Sequence, residues 1–289
     1  MTLGSVAEFK LSITKALADQ LAEALDPLEP CPLKSENLNQ LQDRPGVYVL
    51  FLDDSRVYVG KTAKALPERL SQHLKKISGR SKLSLDRMGF VCVYVDKDMD
   101  SIAPERMLIA RYTSAGDVPW NNNGFGNKDP GRRRDHSLVK INHFDADYPI
   151  NLDIPALLLN TRTSVSTTLA TLKKMLPFNF RYDTGNKGKS IMKSSYVTIP
   201  STATTFRSVI EEVIQALPAG WQATALPGYA ILYREEDDVV YRSATGWWRK
   251  SLKDDAVWHP GPSQRDYSQE PIPSDAEIIP DVESPDDDS

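Results

Sequence analysis

Cysteine is nearly absent from this 289-residue chain, in which Cys31 and Cys92 are the only two. So few exclude a disulfide framework and a thiolate metal cage, and Cys92, alternating within an apolar run, reads as packing. No stretch approaches the roughly eighteen apolar residues needed to span a bilayer, and the N-terminus lacks a basic segment leading into a short apolar core. A soluble, cytoplasmic protein without a membrane partner is expected. There is no internal repeat. Aromatic residues all but vanish after Gln264, where nine acids face one base and the chain ends Asp286-Asp287-Asp288-Ser289. That composition predicts a disordered acidic tail over 264–289, either solvating or held against the protein's own basic face or a partner protein. The net charge of −4 is therefore a property of the tail, and residues 1–263 are net basic.

Phe9, Ile13, Leu17, Leu21 and Leu25 recur every fourth residue, which predicts an amphipathic helix stopped by Asp26-Pro27. Together with a proline-bounded linker it makes an N-terminal segment over 1–44. Two strands follow a tight turn apart, Gly46-Val47-Tyr48-Val49-Leu50-Phe51-Leu52 and Arg56-Val57-Tyr58-Val59-Gly60-Lys61-Thr62, around Asp53-Asp54-Ser55. Pro67 opens a helix whose buried face is Leu66, Leu70, Leu74 and Ile77, with Arg69 and His73 one turn apart on a neighbouring strip. Residues 90–95 are too apolar for a half-exposed strand and are expected at the centre of their sheet. A helix opening at Pro104-Glu105 and then Trp120-Asn121 complete a ββαβα unit within 45–150. The fold class is α/β (α+β). A second α+β domain is expected over 163–260, with a helix near 165–176, a strand at 195–199, a helix from Phe206 to Leu217, and a hairpin pairing 230–234 with 239–242.

Phosphodiester hydrolysis needs a base for water, cations for the charge that builds on phosphorus oxygens, and help for the leaving oxygen. The ββαβα unit offers each. Tyrosine is a poor base at its ordinary pKa, but Lys61 and Arg69 nearby favour the phenolate. The fork of Arg69 matches two phosphate oxygens, and His73 is placed to shuttle a proton or to bond a tyrosine.

The two tripeptides Gly46-Val47-Tyr48 and Tyr58-Val59-Gly60, with Lys61, the Arg69/His73 step, Glu105 and Trp120-Asn121, resemble the GIY-YIG nuclease family. The resemblance implies that Tyr48 or Tyr58 activates the attacking water, that Glu105 holds a single Mg²⁺, with Mn²⁺ able to substitute, and that Asn121 closes the site. Singly, each of these residues has an ordinary structural role; their joint order carries the likeness. Asn123 to Arg132 is similar to the loop after the catalytic asparagine in the family's type II restriction endonucleases. Its glycines free backbone N–H groups for phosphates, with charge from Lys128, Arg132, Arg133 and Arg134.

From Arg56 to Val91 nine bases face two acids, so Lys64, Lys75 and Lys76 join the expected DNA-binding set. The implied protein is an Mg²⁺-dependent endonuclease acting on duplex DNA in restriction or phage defence, in a prokaryotic cell or encoded by a phage. The alternatives are a structure-directed repair nuclease, an RNase, or a catalytically silent DNA-binding protein. The C-terminal domain would read the target or form a homodimer, and Gly246-Trp247-Trp248-Arg249-Lys250 suits either a flipped base or core packing.

Overall fold

A computed structural model describes residues 12–95, 104–114, 116–126, 131–156, 158, 161–235, 239–250 and 255–262. The acidic tail and Phe9 lie outside them. Helix α1 (Ile13–Leu25) starts where the Ser12 hydroxyl accepts from the Lys15 amide, and it buries Ala18, Leu21, Ala22 and Leu25 as one stripe. A two-residue strand β1 (Cys31–Pro32) and a single turn α2 (Ser35–Leu38) lead to β2 (Gly46–Leu52) and β3 (Ser55–Thr62). Asp53 and Asp54 both take left-handed φ, 46° and 64°, which matches the twist of a tight hairpin. Next come α3 (Leu66–Ser78), β4 (Met88–Tyr94) and α4 (Pro104–Ser114).

The four strands form one antiparallel sheet in the order β1-β4-β2-β3. One face carries Tyr48, Leu50, Tyr58 and Phe90 beneath α3. The other carries Val47, Val49, Phe51, Val59 and Val91 beneath α1 and α4. Strand β4 is less central than its composition predicts: β1 covers only Gly89 and Phe90, and Cys92 and Tyr94 stay partly exposed. Strand β2 holds the centre. On the outer edge, the Val118 amide donates to Arg56 O and the Trp120 amide to Val57 O, so residues 118–121 cover β3.

A short helix α5 (Phe144–Asp147) carries the chain from the first core to the second. The second unit holds β5 (Arg162–Ser164), α6 (Val165–Met175), β6 (Asn179–Tyr182), α7 (Asn186–Ser194), β7 (Tyr196–Thr198), α8 (Phe206–Ala216), β8 (Trp221–Ala225), β9 (Tyr229–Arg234), β10 (Gly246–Lys250) and β11 (Ala256–Pro260). Five strands make a sheet ordered β11-β10-β8-β9-β6, in which β6 runs parallel to β9 and the other pairs are antiparallel. The helices at 165–175 and 206–216 fall where their periodicity predicts, and Thr205 and Ser208 close a capping box on α8.

The hairpin expected between 230–234 and 239–242 is not formed. β9 pairs with β8 across Leu226-Pro227-Gly228, while Tyr241 is buried and its hydroxyl donates to Glu235. Trp248 lies in the core at 1% exposure, 4.3 Å from the Trp258 ring centroid, and Trp247 stacks on His259; Trp248 is therefore unavailable as a base reader.

The two units meet tightly. The Asn151 amide donates to Gly79 O and the Ile150 amide to Pro227 O. Between them the buried Arg80 guanidinium lies 2.8 Å from Asp145 and donates to the Tyr148 and Pro227 carbonyls. Among the described residues no helix is long and apolar enough to cross a membrane.

Candidate active site

The hairpin register places Tyr48 opposite Gly60 and Leu50 opposite Tyr58, so the two phenols are diagonal neighbours on one face with ring centroids 6.2 Å apart. Gly60 is required by this packing. The Tyr48 ring lies across its Cα, and a Cβ there would overlap the Tyr48 ring and hydroxyl. The second tripeptide ends in glycine because the first ends in tyrosine.

Helix α3 lies over this face and delivers His73 and Arg69 together. The Tyr48 hydroxyl is 2.7 Å from His73 Nε2, and Arg69 Nε donates to the Tyr48 oxygen at 3.3 Å. Arg69 also donates to Gln72 Oε1 at 3.2 Å, which aims the fork, and it interacts with Tyr58. Tyr48 is fully buried, and His73 and Tyr58 are 3% and 6% exposed.

Burial, reinforced by the charges of Arg69 and Lys76, pushes the His73 imidazole down to about 3, so it is neutral at working pH. For Arg69, burial works against the cation, but the oxygens of Tyr48 and Tyr58 outweigh it and its pKa rises. The site is thus two phenols, a neutral imidazole and a fixed guanidinium.

Two side chains fall elsewhere. Lys61 pairs with Val47, whose side chain belongs to the face under α1 and α4, so alternation puts Lys61 on the sheet face opposite Tyr48 and Tyr58. Lys76 is turned inward instead of toward solvent: its Nζ donates to Phe125 O and sits 5.1 Å over the Phe125 ring, and burial pulls it down to about 8.

Asn121 spends its side-chain amide on the β3 edge. Its Oδ1 accepts from the Val59 amide at 2.8 Å and its Nδ2 donates to Val59 O at 2.9 Å. It ties the following turn to the strand that bears Tyr58. That turn, through left-handed Asn122 and Gly124, brings Phe125 into a 5.0 Å stack on His73 and edge-on to Tyr58 at 4.8 Å. Phe125 and Gln72 were not singled out by motif reading, and Lys76 was read only as a DNA contact, since each acts here through a neighbour that the fold supplies.

Lys64 and Lys75 are exposed near the two ends of α3, and Arg132 lies 4.4 Å over the Tyr233 ring of the second unit. Lys128 lies outside the described residues, as do the side chains of Arg133, Arg134 and Glu105. The backbone of Glu105 is in the first turn of α4. That helix ends beside the start of β3, where Arg56 holds Asp117 at 3.4 Å, so its first turn lies toward the end at which β2 begins and β3 and β4 stop. Arg69, near the start of α3, belongs to the same end, because Leu66 packs on Gly46.

The described residues contain no group of three His, Cys, Asp or Glu side chains that could cage a metal. A divalent ion here would be held by one carboxylate, waters and phosphate oxygens, a donor set that a hard ion accepts. Glu105, the carboxylate that the resemblance implies, lies on α4, which packs on the sheet face opposite Tyr48 and Tyr58. Residues 44–116 match the GIY-YIG catalytic domain, and no curated protein matches the chain. The first unit therefore contains a region similar to the GIY-YIG catalytic domain. The match ends short of Asn121, whose place rests on its bonds to Val59.

Proposed function

We propose that the protein is a divalent-metal-dependent DNA endonuclease of the restriction or phage-defence kind. The observation that carries this is the buried relay Arg69–Tyr48–His73 between β2 and α3, within the basic stretch from Arg56 to Val91. Arg69 can only donate, so the Tyr48 oxygen accepts from it and the Tyr48 proton is directed to His73 Nε2, with the imidazole proton on Nδ1. Tyr48 then has a proton acceptor of its own, which makes it the better base of the two phenols.

A phosphodiester held by the remaining N–H groups of Arg69 offsets part of the charge that keeps His73 neutral. Its basicity then rises when the substrate arrives. Glu105 would hold one Mg²⁺, which when bound supplies Lewis-acid stabilisation of charge on phosphate oxygens. Asn121 and Phe125 keep the Tyr58–His73 cluster packed against the β3 edge.

Incubation with modified and unmodified phage DNA, with Mg²⁺ or EDTA, tests the proposal. Discrete fragments that require the metal are expected. Smearing would point to a nonspecific or structure-directed nuclease, and no cutting would leave a DNA-binding protein. Glu105→Ala should abolish cleavage and leave binding within a few fold, because the ion acts more on the transition state than on the ground state.

A further inference from the structure

The charge of the second unit is divided unevenly along its chain. Between Arg162 and Lys193 there are seven bases and one acid, Asp183, whereas residues 201–262 hold six bases and eight acids. The basic part, running through α6, β6 and α7, includes the segment that abuts α3. Gly79, just past α3, lies so close to Pro177 that an added Cβ would sit 2.7 Å from the proline ring.

At this joint a groove of about 300 Å³ opens between the units. It is lined by Lys75 of α3, Lys173 of α6 and residues 176–180. Both lysines are exposed. Lys75 stands six residues beyond Arg69, nearly two turns along the helix that carries the relay, so one helix links the site to the groove.

We propose that this groove is a seat for the sugar–phosphate backbone of the DNA, gripped by Lys75 and Lys173 from the two units at once. The proposal rests on the nuclease reading and gives the second unit a contact that Trp248, buried in its core, cannot provide. Two exposed lysines lining one cleft, one from each unit, suit an anion, and a nucleic-acid backbone supplies such anions in series. The contact positions the duplex and carries no sequence information of its own.

The salt dependence of binding to a fixed duplex, measured by fluorescence anisotropy on the full chain, tests it. Each lost phosphate contact lowers the slope of log K against log salt by about 0.9 and weakens binding roughly fivefold at 0.15 M salt. Lys173→Ala should do this, and Lys75→Ala/Lys173→Ala should lower the slope by about 1.8. Lys15→Ala, an equal charge change on α1 across the sheet from α3, should leave it unchanged. If Lys75→Ala lowers the slope and Lys173→Ala does not, the groove is refuted and the nuclease reading stands. A wild-type protein that binds no duplex at any salt overturns both.

Discussion

Neutral His73 makes the stability of this protein depend on acid in a way one substitution should expose. In the unfolded chain the imidazole takes up a proton below about 6.5, whereas the folded one refuses it until about 3. Between these values the unfolded state binds more protons, so stability falls as pH is lowered, by about 1.4 kcal/mol per unit for this group. From pH 7 to pH 5 the loss works out at about 2 kcal/mol. No screening discount applies, because His73 is only 3% exposed.

Other carboxylates titrate toward acid as well, so the quantity to measure is a difference. His73→Phe keeps a ring between Phe125 and Tyr48 but removes the titration. It should cost about 1–3 kcal/mol at pH 7, where the Tyr48 hydroxyl loses its acceptor, and that gap should shrink by about 2 kcal/mol at pH 5. Urea unfolding of both proteins across pH 5 to 7 gives the answer. A gap that stays constant within about 0.5 kcal/mol would refute the buried, neutral imidazole and with it the proton path from Tyr48.

Arg69→Lys should lower kcat by about 10²-fold, since a point charge cannot hold both the Tyr48 oxygen and two phosphate oxygens; near wild-type turnover would reduce Arg69 to a source of field. Gly60→Ala should move the Tyr48 ring and cost about 10²-fold in cleavage with a lowered Tm, and full activity would break the proposed link between the two tripeptides. Asn121→Ala leaves a Val59 amide at the edge without its acceptor and should cost about 2 kcal/mol in chemical denaturation, whereas an unchanged midpoint would mean the turn holds by Phe125 alone. Trp248→Ala should cost about 3–5 kcal/mol and Trp247→Ala far less, as read by thermal melts; equal losses would contradict their different burial.

Much of the first unit was legible because its signals are local. The β2–β3 hairpin, the face of α3, and the Arg69/His73 step all lie within stretches of a few residues whose period fixes the structure. Lys61 was read as part of the site because it directly follows Gly60, but a strand alternates its faces and adjacency in sequence is opposition in space. Lys76 looked like one more base on a basic helix; only the packing of Phe125 and Phe144 around it turns it inward.

In the second unit, the charged run at 235–238 drew the hairpin to the wrong place, while the true turn was marked by the quieter Pro227-Gly228. Strand β8 escaped notice because it contains Gln222 and Thr224, both buried and bonded to each other, so it does not read as apolar. Such pairs become visible only once the sheet is assembled.

Arg80 has a mechanical consequence. A guanidinium sealed among Asp145, Tyr148 O and Pro227 O cannot be pulled out by a hinge motion without stranding a buried charge, a loss of several kcal/mol. The two halves of the molecule therefore behave as the jaws of a calliper locked at one opening. Under the proposed reading, whatever length of duplex lies between a backbone seated on the second half and the bond presented to Arg69 would then be a dimension of the protein, the same at every turnover.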